Sequence, residues 1–195
     1  MHNVKFFKEI EFYQRLLAES YQRFLAQSGE VIRYSVKGRF YEIRDCDGDD
    51  ISNIALRDGQ MSCLFLGNQI PIKRLTASQE DPNVPIGFYL VKGSEHDPEA
   101  LELFFNYASP NVRGSGIGLL QRIDALISVL LTKETKGFRF TKVYGNSSFY
   151  ESLDGICSSR RVRSDTRYNI DLSDKERVKR IIGERLVDIG IRISL

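Results

Sequence analysis

The stretch SPNVRGSGIGLL, from Ser109 to Leu120, sets three glycines, Gly114, Gly116 and Gly118, at every second position behind an arginine. Glycine at that density weakens helix and strand alike, so it marks backbone that turns sharply or is approached closely. On its amino-terminal side IGFYLVKG and ALELFFNYAS read as strands, joined by the polar loop SEHDPE. On its carboxyl-terminal side the period changes. Leu119, Leu120, Ile123, Leu126, Ile127, Leu130 and Leu131 recur at helical spacing, with Gln121, Arg122, Asp124 and Ser128 on the other face, which predicts an amphipathic helix. FRFTKVYG then reads as another strand, so the glycines sit at the strand-to-helix turn of a βαβ unit.

The first turn of a helix has main-chain N–H groups without intrahelical partners, and its peptide dipoles leave partial positive charge there. A phosphate group is the natural guest, and Arg113 adds charge at the rim. The simpler alternative is a tight connection whose glycines serve packing alone. A P-loop is excluded because no Gly-Lys-Ser/Thr follows. A dinucleotide fingerprint is excluded because its third glycine falls on Leu119.

The segment PNVRGSGIG resembles the acetyl-CoA signature of the GCN5-related N-acetyltransferases (GNAT), [QR]-x-x-G-x-[GA]. Arg113, Gly116 and Gly118 fill its defined positions, and Pro110 matches a proline common just before it. The resemblance implies that the loop amides hold the CoA pyrophosphate, with Tyr107, Ala108, Arg113, Gly114, Ser115, Gly116, Ile117, Gly118 and Asn146 as cofactor-binding residues. It also implies that the strand from Leu101 to Ala108 carries a bulge and splays from Phe138 to Tyr144 to admit pantetheine. GNSSFYESLDGI is similar to the family's asparagine followed by a helix with YEKLGF, through Asn146, Tyr150, Glu151, Leu153 and Gly155. PIGFYLV and RVRSDTRYNIDL fit the preceding strand and the closing hairpin, so the likeness spans roughly residues 41–172.

Moving an acetyl group from a thioester to an amine requires a neutral amine, an oxyanion donor and an acid for the departing thiolate. Glu102, a charge among Leu101, Leu103, Phe104 and Phe105, is the expected base, directly or through water; the alternative is a solvent-facing strand position. Tyr150 is the expected acid, against a packing role. Asn106 and Tyr107 are expected near the bulge, where a main-chain N–H binds the thioester oxygen. His96 and the run with Arg160, Arg161, Arg163 and Arg167 border the acceptor side and read more simply as solvated groups. The reading is an acetyl-CoA-dependent N-acetyltransferase with a small-molecule or protein amine acceptor. A catalytically silent member that binds CoA or a protein partner, and an acyltransferase with a longer acyl donor, remain open.

The rest of the chain bounds this reading. Its 195 residues, 42% hydrophobic and 28% charged, suit one α/β domain with a mixed, mostly antiparallel twisted sheet flanked by helices, the GNAT-like acyl-CoA transferase fold. A net charge of +2 does not call for a nucleic-acid partner. Cys46, Cys63 and Cys157 lack disulfide or zinc spacing, and the amino terminus has no signal or membrane-spanning run, so a soluble cytoplasmic protein without metal is expected. Phe6, Ile10, Tyr13, Leu17, Tyr21 and Phe24 predict a helix within an added segment, residues 1–30. VIRYSVKGRFYEIRD predicts one or two strands, DCDGDD a turn leading to a short helix with Ile51, Ile54 and Leu56, MSCLFLG with IPIKRLT a hairpin, and TASQEDPNVP a loop. Ser173 and Glu176 predict a capping box for an added carboxyl-terminal helix, residues 173–195, with the stripe Val178, Ile181, Ile182, Leu186 and Ile189. Both added helices are open to packing on the core or pairing with a second copy.

Overall fold

The computed structural model describes residues 31–60, 72–95, 97–131, 135–141, 153, 156–162 and 165–194. The expected amino-terminal helix and the segment MSCLFLG lie outside them. Strands β1 (Val31–Val36) and β2 (Arg39–Asp45) pair through a two-residue turn at Lys37 and Gly38, both with positive φ, the geometry that matches strand twist. Helix α1 (Gly48–Arg57) follows. Its start is fixed by Asp47, whose side chain accepts from the Asp49 and Asp50 N–H groups at 2.9 Å, while Asp50 accepts from the Asp47 N–H at 3.2 Å.

Strands β3 (Ile72–Ser78), β4 (Asp81–Ser94) and β5 (Asp97–Ala108) continue as an antiparallel meander. Helix α2 (Ile117–Leu131) crosses to β6 (Gly137–Thr141), parallel to β5. The hairpin β7 (Cys157–Val162) and β8 (Asp165–Asp171), helix α3 (Lys175–Asp188) and β9 (Ile191–Ser194) complete the described chain. The sheet order is β7-β8-β6-β5-β4-β3-β2-β1-β9, and β5–β6 is its one parallel pair among the described residues. The mixed, mostly antiparallel sheet expected from the sequence is therefore what forms.

Each face of the sheet carries a core. On one side α1 seats Ile51, Ile54 and Ala55 against Leu75, Ala77, Phe88, Leu90 and Tyr107. Burying each of those isoleucines contributes about 1.5–3 kcal/mol. On the other side α2 and α3 pack over Ile32, Tyr34, Tyr41, Ile43, Tyr89, Val91 and Leu103. The α3 stripe Val178, Ile181, Ile182 and Leu186 is used against this chain's own core.

Several local expectations change. TASQEDPNVP is not a loop: Thr76–Ser78 end β3, Asp81 already begins β4, and the turn is Gln79–Glu80. Register shifts on either side of Ala77, which faces Pro85, let a residue without an N–H sit in the ladder. The loop SEHDPE shrinks likewise, because β4 runs to Ser94 and β5 starts at Asp97; His96 lies outside the described residues. Asp174, not Ser173, caps α3 by accepting from the Arg177 N–H at 3.0 Å, while the Ser173 N–H donates to Asp171 at 2.9 Å. The added carboxyl-terminal segment is a helix followed by a strand, since β9 pairs with β1 at the sheet edge.

The largest change concerns α2. Its polar positions do not face water: Gln121, Arg122, Asp124 and Ser128 are all buried. Asp124 accepts from the Tyr34 hydroxyl, from the Tyr89 hydroxyl at 2.6 Å, and pairs with Arg74 Nε at 3.1 Å. Tyr89 also bonds Ser128 at 3.3 Å, and Arg74 reaches on to Asp45 at 3.1 Å. The stripe Gln121, Asp124 and Ser128 is thus a polar seam between helix and sheet, with an ion pair that is costly to break from one side.

Candidate functional site

Beyond β5 the backbone turns through Pro110–Val112 in one 3-10 turn before the glycines. The Ser115 N–H and hydroxyl both donate to the Val112 carbonyl, at 3.2 and 2.6 Å. Gly114 and Gly116 lie at φ of +84° and +94°, on either side of Ser115. A side chain is strained at such angles, so glycine is required there by conformation. The first α2 bond runs from the Leu120 N–H to the Gly116 carbonyl at 3.0 Å, which leaves the N–H groups of Ile117, Gly118 and Leu119 ahead of it. No backbone carbonyl among the described residues takes the N–H of Gly114 or Gly116.

The space in front of the loop is open. A Cβ added at Gly114 or Gly116 would meet no atom within 4 Å, and one at Gly118 would come no nearer than 3.9 Å, to Asn106 Nδ2. Alternating positive-φ glycines before a helix make a concavity of N–H groups that suits an anion. Ile117 is buried beneath it, and exposed Arg113 stands at its rim, with Nε 3.5 Å from the Ala108 carbonyl.

Strands β5 and β6 pair from Ala100–Gly137 to Leu103–Phe140, whereas β5 continues to Ala108 with β4 as its partner among the described residues. Leu90 faces Phe105 and Val91 faces Leu103, so Phe104 is the extra residue of a β-bulge. The bulge therefore lies upstream of the expected Asn106–Tyr107. Phe104 is exposed, with Lys92 Nζ 4.3 Å from its ring centroid.

The segment from Tyr107 to Ser109 is held from the α1 side by two residues with no signal in the sequence. Asp58 Oδ2 accepts from the Tyr107 hydroxyl at 3.1 Å and the Ser109 hydroxyl at 2.5 Å. Arg57 clasps Asp58 through two nitrogens, at 2.8 and 3.1 Å, and donates to the Pro85 carbonyl at 2.6 Å and to Ser109 Oγ at 2.8 Å. The Tyr107 side chain is thus buried and anchored, its ring 5.5 Å from that of Phe88. The Arg57 guanidinium first, then the Ser109 and Tyr107 hydroxyls, outweigh burial and lower the Asp58 pKa from 3.8 to about 2. A carboxyl with a lowered folded-state pKa adds stability above its unfolded value, and that stability is lost as pH falls from about 4 to about 2. The shift amounts to about 2 kcal/mol unscreened and on the order of 1 kcal/mol after solvent screening. Unfolding free energies from urea titrations at pH 5 and pH 2.5 are expected to differ by less in Asp58→Asn than in the wild type, by roughly that amount.

Glu102 stands in the row Lys92–Glu102–Arg139 across β4, β5 and β6. Leu101 and Leu103 join the α2-side core, so Glu102 points to the α1 side. Both flanking cations have other partners: Lys92 pairs with Glu95 at 2.6 Å, and Arg139 with Asp97 at 2.9 Å and Asn169 at 3.3 Å. Glu102 itself is half-buried, with no hydrogen bond or ion pair among the described residues. Tyr150 and Asn146 lie outside the described residues, as does Arg163; the side chains of Arg160 and Arg161 are likewise outside the description, and Arg167 is exposed.

The Cys46 thiol is pushed up to about 12 by burial and then by Asp50, Asp45 and Asp47, and burial pushes Cys157 to about 11, so neither is a thiolate at neutral pH. Among the described residues no group of His, Cys, Asp and Glu could hold a metal, and no helix is long and apolar enough to cross a membrane.

No protein-family model matches the sequence, and no curated protein matches it. Solved structures do match in three dimensions. An uncharacterized protein from Bacillus halodurans superposes with a TM-score of 0.53 at 9% identity, over 80% of this chain and 98% of its own. A candidate acetyltransferase superposes with a TM-score of 0.51 at 14% identity, over 79% of this chain and 96% of its own. The chain shares the fold of these two structures. A candidate acetyltransferase of the GNAT family from Desulfovibrio desulfuricans also matches, with a TM-score of 0.47 at 12% identity, over 68% of this chain and 99% of its own. In the described sheet β9 and β1 lie at the edge opposite the β7–β8 hairpin.

Proposed function

We propose that the protein is an N-acyltransferase that uses acetyl-CoA as donor and an amine as acceptor. The observation that carries this reading is the open concavity of N–H groups at Gly114, Gly116, Ile117 and Gly118, set beside a β5 strand that bulges at Phe104, just past its described pairing with β6. The residues fit the group: the loop is free of side chains where a pyrophosphate would lie, and Arg113 supplies a cation at its edge. Bound acetyl-CoA would bring an activated thioester. Glu102 would take the proton that the attacking amine releases, the Phe104 bulge would aim a main-chain N–H at the acyl oxygen, and Tyr150 would return a proton to the departing sulfur. Tyr107 and Ala108 would contribute main chain alone, because Asp58 holds the Tyr107 side chain. A reducing compartment suits the free Cys46 and Cys157.

The test starts with CoA. It is expected to stabilise the protein by mass action, about 2.7 kcal/mol at a hundredfold excess over Kd, with thiol release once an amine is supplied. Tight CoA binding without thiol release from any of a panel of amines would identify a silent binder. The absence of any thermal shift at millimolar CoA would end the acyl-CoA reading altogether.

A further inference from the structure

We propose that Gln121 is a positioning residue, which sets the aim of the glycine loop by locking the end of β5 to α2; the proposal rests on the acyl-CoA reading above. Gln121 is fully buried in α2. Its Nε2 donates to the Tyr107 carbonyl at 2.9 Å and to Thr76 Oγ1 at 3.2 Å, while its Oε1 has no hydrogen-bond partner among the described residues. Turning the amide over would set oxygen against the Tyr107 oxygen, so the donating orientation is fixed by that carbonyl.

Gly87 reveals how tightly this contact is built. Thr76, Gly87 and Ala108 form one row across β3, β4 and β5. A Cβ at Gly87 would fall 2.4 Å from the Tyr107 oxygen and 2.7 Å from Gln121 Nε2. The amide of Gln121 therefore occupies the place where the side chain of residue 87 would stand. Stability alone does not call for glutamine at this site, because an apolar side chain of the same length would remove the unpaired buried Oε1, which offsets the loss of the two bonds that Nε2 donates.

The bond supplies a fixed distance. Tyr107 stands two residues before Ser109, where the loop departs, and Gln121 stands on the helix to which the loop returns. Both ends of the loop are thus joined behind it, and its N–H groups are held for an anion before one arrives. Gln121 is three residues from Asp124, so the polar seam anchors the same helix face a turn further on.

The experiment uses the full chain with Gln121→Met, which keeps length and removes the donor, and Gln121→Leu as a second variant in case the first packs poorly. Urea midpoint, calorimetric Kd for CoA, and hydrogen exchange of residues 106–118 in the free protein are measured together. The midpoint is expected to hold or rise, exchange in the loop to quicken, and Kd to weaken about tenfold, the scale of one lost hydrogen bond. With turnover, KM for acetyl-CoA is expected to rise while kcat is kept. A role confined to packing predicts the reverse: a lower midpoint with CoA affinity held within about twofold. That pattern, or loop exchange identical to wild type, overturns the proposal. If the wild type takes no CoA, the acyl-CoA reading fails by itself and loop exchange still decides the part played by Gln121.

Discussion

Glutamate at Gly116 is expected to abolish measurable acetyl-CoA binding while the chain stays folded. Two effects combine. At φ of +94° a residue with a Cβ is strained by about 1–2 kcal/mol, which lowers stability without exhausting the roughly 5–15 kcal/mol of an ordinary domain. No atom lies within 4 Å of the added Cβ, so folding meets no clash. The new carboxylate would stand among the free N–H groups and repel a pyrophosphate by about 1–4 kcal/mol at effective dielectrics of 80 to 20. Gly116→Ala carries the φ strain without the charge and is expected to weaken Kd by less than about tenfold. Circular dichroism and calorimetry on the same samples separate the terms. Normal CoA affinity in a folded glutamate variant would leave the glycines with chain turning as their whole purpose.

The loop could be read from the sequence because its causes are local. Positive φ at Gly114 and Gly116 selects glycine, and the change from strand to helix period on either side locates the turn. The polar stripe of α2 could not be read in this way. Gln121, Asp124 and Ser128 look like a solvated face until Tyr34, Arg74 and Tyr89 are brought beneath them, and 90 residues separate Tyr34 from Asp124. Periodicity reports which side chains share a face and is silent on what that face meets. The same gap hid Arg57 and Asp58, whose partners Tyr107 and Ser109 arrive from β5. Strand β9 was missed for another reason: four residues after a strong helical stripe are too few to establish a new period.

The resemblance led to a bulge in the strand from Leu101 to Ala108, and the bulge is there, at Phe104. It falls two residues ahead of Asn106, since the register puts Phe104 out of the ladder. Two positions matter here, because side chains alternate faces along a strand and a bulge resets that alternation. Leu101 and Leu103 lie in the α2-side core, yet Phe105 and Tyr107 lie with α1. Glu102, ahead of the bulge, shares the α1 side with them and borders the end of β5–β6 pairing.

That position underlies the second large effect. Glu102→Gln keeps the shape of the side chain and removes its capacity to accept a proton, so kcat is expected to fall about 10²–10⁴-fold, the range for loss of a general base. The CoA Kd is expected to hold, since Glu102 lies within the described β5–β6 pairing, well ahead of Ser109 where the glycine loop departs. Stability is expected to change little, because Glu102 has no ion pair or hydrogen bond to lose among the described residues and the cations beside it keep Glu95 and Asp97. The pH profile supplies the decisive reading. As pH rises toward the pKa of the acceptor amine, more acceptor arrives neutral and only the proton released on attack is left for a base, with hydroxide increasingly able to take it, so the ratio of wild-type to variant kcat is expected to narrow. A ratio that stays constant across the profile would remove Glu102 from proton transfer and leave water, or the acceptor itself, to carry the proton away.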